Sequence, residues 1–78
     1  MRDLPDNDEW IAARRRRIGD RVRAERIRQN LTQDTVYLAA GVSRYTLQRA
    51  EAGAEMKLST LLRIAAVLEI PLADLMRE

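Results

Sequence analysis

Residues 34–53 read DTVYLAAGVSRYTLQRAEAG. Val36, Ala40, Val42, Leu47 and Ala50 recur with the spacing of an apolar seam between two short helices. Between the helices lies Gly41-Val42-Ser43. Gly41 supplies a turn with positive φ, Ser43 caps the second helix, and that helix closes before Gly53. Two features need a reason: the break comes after very few turns, and the second helix opens on Ser43-Arg44-Tyr45-Thr46, side chains that bury poorly.

Outward from this stretch the rest of the chain also reads as helical. Only three Gly and two Pro interrupt it, and no β-branched or aromatic run alternates with period two. Upstream, Asp6 with Glu9 three residues later predicts a capping box, and Trp10, Ile11, Ile18, Val22 and Ile27 follow at roughly helical spacing. Gly19 weakens that run by ~1 kcal/mol relative to Ala, so a break there into two helices is an alternative. Asn30 closes the run, and Thr32 caps a helix over Gln33–Ala40. Downstream, a helix over about Leu58–Leu68 turns Leu58, Leu61, Ile64, Ala65 and Leu68 inward. Pro71 opens a last helix carrying Leu72, Leu75 and Met76, which ends with the chain. The expected architecture is all-α: a compact five-helix domain over residues 6–78 with an extended first helix, after a frayed stretch at residues 1–5.

Composition narrows the function. With 78 residues the chain makes one domain near the lower size limit for a self-sufficient core, a size that favours dimerisation. It has no Cys and no His, which removes disulfides, thiolate zinc sites, thiol nucleophiles and the commonest acid–base group. No phosphate loop, nucleophile–base set or metal-ligand spacing appears, so neither an enzyme nor a cofactor is expected. No apolar run is long enough to span a bilayer and no signal-peptide layout is present, so a cytoplasmic protein is expected. The net charge of +2 hides an asymmetry: residues 10–49 carry ten Arg against three acids, while both flanks are net negative. A polyanion-facing surface and a solvated arginine-rich helix account for this equally well.

A helix, a tight turn and a second helix is the geometry of a helix-turn-helix, here over residues 33–52. The first helix braces, and the start of the second enters the DNA major groove. The break then serves to orient the second helix, and its polar opening faces bases and phosphates. Arg44, Tyr45, Gln48 and Arg49 fall opposite the apolar seam. Arginine is the commonest reader of guanine, through two donors to O6 and N7. An ordinary helical hairpin with a solvated polar face has the same pattern.

The stretch LTQDTVYLAAGVSRYTLQRAEAG, followed by LSTLLRIAAVLEIPLADLM, resembles the Cro/repressor type of helix-turn-helix DNA-binding domain, also called the xenobiotic-response-element type. The resemblance runs from about Ile18 to Met76. It implies that Arg44, Tyr45 and Arg49 read bases, and that Gln33, Ser43 and Thr46 contact phosphates. It also implies that Arg26 and Glu51 form a partly buried ion pair tying the first helix to the end of the recognition helix. Three positions depart from the family pattern. Tyr37 stands where a small residue is usual, and either overpacks the seam or tilts outward. Lys57 replaces the usual cap before the fourth helix, and Glu69 replaces the usual Gly before Ile70.

Upstream, Arg14–Arg17 span about 300° of a helix and cannot all face one DNA backbone. Trp10 and Ile11 need cover, from the base of the domain or from a second subunit. The expected function is that of a sequence-specific transcriptional regulator of double-stranded DNA, a repressor binding a palindromic operator as a homodimer, with Leu72, Leu75 and Met76 as dimer-interface candidates. The alternative is an antitoxin or controller protein whose domain also binds a protein partner.

Overall fold

The computed structural model describes residues 3–77; the expectation of fraying at residues 1 and 2 lies outside them. Among the described residues there are five helices and no strand: α1 Glu9–Arg28, α2 Gln33–Ala40, α3 Arg44–Glu51, α4 Leu58–Val67 and α5 Leu72–Met76. Helix α1 packs on α3 and α5, α2 packs on α3 and α4, and α4 packs on α5. No helix among the described residues is long and apolar enough to cross a membrane.

Helices α1 to α4 end alike. After each, one residue takes the left-handed conformation: Asn30 (φ 59°), Gly41 (φ 71°), Gly53 (φ 82°) and Glu69 (φ 57°). Its N–H and that of the next residue turn back onto carbonyls of the last turn, as in Asn30 to Ile27 (2.9 Å) and Leu31 to Arg26 (3.0 Å). The same pair closes α4, with Glu69 donating to Ala66 (3.1 Å) and Ile70 to Ala65 (3.1 Å). Glycine and asparagine suit this conformation, whereas a glutamate there crowds its Cβ against the backbone. Glu69 is exposed and makes no described side-chain bond that would offset the strain. Glu69→Gly should therefore raise stability by about 1 kcal/mol, seen as a higher urea midpoint with unchanged slope.

Three local expectations and one alternative, the break at Gly19, are corrected. Asp6 does not cap α1: the helix starts after Asp8, and the side chain of Asn7 accepts from the N–H of Glu9 (3.0 Å). Gly19 does not break α1, which runs unbroken for 20 residues. Leu58, the first residue of α4, is 61 % exposed although it lies one turn before Leu61 and two turns before Ala65, and Pro71 precedes α5 as its N-cap instead of sitting in its first turn.

Gly19 persists in mid-helix for a reason of packing. A Cβ built there would lie 2.5 Å from the Ala50 carbonyl oxygen and 2.8 Å from both the Glu51 carbonyl oxygen and the Gly53 nitrogen. Gly53 reciprocates: its own Cβ would lie 2.7 Å from Cα of Arg16. Two backbones thus touch where α1 crosses the end of α3.

The core consists of Val22, Val36, Leu47, Ala50, Ile64, Ala65, Leu68 and Leu75, with Ile18, Leu31, Met56, Val67, Ile70 and Leu72 packed around it. Leu75 is only 1 % exposed. Helix α5 folds back onto α1 and α4 and places Leu75, one of the three dimer-interface candidates, inside the single chain. Met76 is exposed, Leu72 is half-buried, and Trp10 is partly covered at the start of α1. The molecule is elongated and measures 44 × 22 × 19 Å.

Candidate nucleic-acid interface

The two helices that would meet DNA begin with the same hydroxyl device. Thr32 Oγ1 accepts from the N–H of Thr35 (3.1 Å) at α2, and Ser43 Oγ accepts from the N–H of Thr46 (3.0 Å) at α3. Each capping hydroxyl also lies against the hydroxyl of the residue it caps: Thr32 to Thr35 at 2.9 Å, Ser43 to Thr46 at 2.8 Å. These caps satisfy otherwise orphaned donors and fix where each helix starts. The Gly41 turn then holds α3 across α2, with Leu47 and Ala50 buried against Val36 and Ala40.

What α3 leaves in solvent is a polar strip. Arg44, Tyr45, Gln48 and Arg49 are all exposed, with Ser43 and Thr46 at its beginning. The strip is ordered by its own contacts. Arg49 Nη1 donates to the Tyr45 hydroxyl (3.3 Å), and its guanidinium lies 5.5 Å from the Tyr45 ring centroid. Arg44 Nη2 donates to Asp34 (3.0 Å), and its guanidinium lies 5.7 Å from the centroid of the Tyr37 ring. Tyr37 and then Asp34 hold Arg44 further into its protonated form than a free arginine. Tyr37 thus tilts outward, half-buried against the core, and its ring supports Arg44. Beside the strip runs a shallow groove lined by Tyr45, Thr46, Arg49, Glu55, Met56, Lys57 and Thr60, where Lys57 precedes α4 without a side-chain cap.

Beneath the strip lies the pair of Arg26 and Glu51. Arg26 Nε donates to Glu51 Oε2 (2.7 Å) and Nη2 to Oε1 (3.0 Å), a two-pronged contact between side chains 12 % and 5 % exposed. Arg26 Nη1 donates to the Leu31 carbonyl (3.0 Å), and Gln33 Nε2 donates to Glu51 Oε1 (3.3 Å). The Glu51 carboxylate raises the Arg26 pKa above its usual value. One carboxylate therefore joins the end of α1, the start of α2 and the end of α3, and no buried side-chain polar atom among the described residues lacks a partner.

Arg44, Tyr45, Arg49, Ser43 and Thr46 thus come together on one surface, while Gln33 is half-buried beside them and turned toward Glu51. Leu72 and Met76 lie elsewhere, on α5. Sequence reasoning did not find Asp34 in this arrangement. Its spacing of three from Tyr37 was the available signal, since residues three apart share a helix face.

The sequence matches the family described as helix-turn-helix over residues 22–75. Among solved structures the fold is similar to the restriction-modification controller protein C.AhdI from Aeromonas hydrophila. That likeness has a TM-score of 0.77 and 28% sequence identity, and covers 81% of this chain and 97% of the other. No curated protein matches the sequence. The family match begins at Val22, so the first turns of α1 precede it.

Proposed function

Because the chain belongs to the helix-turn-helix family of Cro/C1 type, we propose that it is a sequence-specific regulator of transcription that represses from a palindromic DNA operator as a homodimer in the cytoplasm. The observation that carries this reading is the exposed strip of Arg44, Tyr45, Gln48 and Arg49 on a helix whose opposite face is locked into the core. In this reading Arg44, Tyr45 and Arg49 meet base edges in the major groove, and Ser43, Thr46 and Gln33 meet phosphates. One such helix reads only a few base pairs. Two of them, about 34–36 Å apart on a two-fold axis, read a palindrome. Met76, with the partly exposed Leu72, supplies the apolar surface for that axis.

Selection of bound sequences from random duplex DNA tests both parts. A palindromic consensus supports reading and dimer together, a single half-site removes the dimer, and no consensus removes sequence-specific reading. On the selected site Arg44→Ala should cost about 1–3 kcal/mol and flatten the preference at one position per half-site. Gln33→Ala should weaken all sequences alike. Titrations on the site and its single-base variants check this, and an unchanged profile for Arg44→Ala would mean that Arg44 reads no base.

The likeness to a restriction-modification controller protein supports a second reading, in which this chain is a controller, and whether it also binds a protein partner is open to a direct test. Recovery of a stoichiometric protein with the tagged chain from its native cells would support it.

A further inference from the structure

Arg44 is gripped twice by the helix that precedes it. Asp34 and Tyr37, three residues apart on α2, face it together: the Asp34 carboxylate takes one N–H of Nη2 at 3.0 Å, and the Tyr37 ring lies 5.7 Å beneath the guanidinium carbon. This arrangement adds little to stability, since the side chains of Arg44 and Asp34 are 59% and 57% exposed. It also places a carboxylate on a surface meant for a polyanion, where that charge opposes binding. An unfavourable charge with little structural return calls for a role at the surface itself.

We propose that Asp34 and Tyr37 are specificity-determining positioning residues, which hold Arg44 so that it reads guanine in preference to binding phosphate. A guanidinium has two edges that offer paired donors, Nη1 with Nη2 and Nη2 with Nε. A carboxylate taking one N–H of Nη2 occupies one edge and leaves the other for O6 and N7 of guanine. The ring beneath fixes the plane of the fork, so the ordering cost of a long side chain is met on folding and not on binding. A phosphate approaching the open edge meets the repulsion of the nearby Asp34 carboxylate, whereas a neutral guanine does not. A small residue at position 37 would leave the fork unsupported, which explains the bulky ring there.

The inference rests on Arg44 being a base reader, and one set of titrations separates the two claims. The probes are the selected duplex, its variant with the guanine opposite Arg44 replaced, and an unrelated duplex of equal length. Asp34→Asn should bind the unrelated duplex more tightly and lose about fivefold in discrimination for guanine. Tyr37→Ala should lose a similar factor, and Tyr37→Phe, which keeps the ring, should restore it. In an Arg44→Ala background, Asp34→Asn should leave discrimination unchanged. If Asp34→Asn strengthens all duplexes equally with discrimination intact, Asp34 is only a nearby charge and the proposal fails. If Arg44→Ala flattens the base preference but Asp34→Asn and Tyr37→Ala do not, the positioning role fails while the reading of Arg44 stands. If Arg44→Ala changes no preference, both fall.

Discussion

Replacing Gly19 with alanine should destabilise the protein by about 3 kcal/mol, although alanine is the better helix former by about 1 kcal/mol. The added methyl would sit 2.5 Å from the Ala50 carbonyl oxygen, with the Glu51 carbonyl and the Gly53 nitrogen 2.8 Å away. All three are backbone atoms, so no rotamer change relieves the clash. Relief requires α1 to lift off the end of α3, which loosens the packing of Val22 and Ala50. Chemical denaturation followed by helical circular dichroism measures the loss. A midpoint at or above that of the parent chain would mean that the α1–α3 contact has slack.

Glu51→Ala should cost as much or more, about 3–5 kcal/mol. It leaves Arg26 12 % exposed with its two-pronged partner gone, and it removes the acceptor of the Gln33 amide. Glu55→Ala, at an exposed position, is the control and should change little. The pairing itself is not the source of the loss; the unpaired buried charge is. The double replacement of Arg26 by Met and Glu51 by Leu should therefore recover most of it. If Glu51→Ala and Glu55→Ala melt together, the pair contributes nothing to the fold. Small domains hold roughly 5–15 kcal/mol in total, so either the Gly19 or the Glu51 change alone removes a large part of the reserve.

These two sites differ in how readable they were. The turn between α2 and α3 is written locally: Thr32, Gly41 and Ser43 each act within a few residues of themselves, so their spacing locates the helix starts and the turn. The continuity of α1 through Gly19 is not local. A glycine there looks like a helix breaker until the end of α3 arrives to fill the space, and sequence spacing carries no trace of that meeting. Leu75 is ambiguous for a related reason. An apolar stripe at a chain end has the same pattern whether it covers the chain's own core or a second copy. The candidate surface shows the same division. Arg44, Tyr45, Gln48 and Arg49 were found by periodicity because one helix carries them all. Asp34 was missed because its partner lies on another helix and depends on a side-chain conformation. Tyr37 was visible only as a misfit of size, and its contact with Arg44 explains why the size is tolerated.

The elongated shape has a hydrodynamic consequence. A compact chain of this length has a radius of gyration of about 11.5 Å, and the observed value is 13.1 Å. Helix α1, with its 20 residues, is about 30 Å long, more than either of the two shorter dimensions of 22 and 19 Å, so its axis leans along the 44 Å direction. The isolated chain should therefore tumble like a short rod, spinning about that direction faster than it turns end over end. The N–H bonds of α1 lie near the long axis and sense mainly the end-over-end motion, whereas those of helices set across it also sense the spin. Nitrogen-15 relaxation rates should then differ between helices of equal rigidity, and uniform rates would mean that the elongated shape is not held in solution.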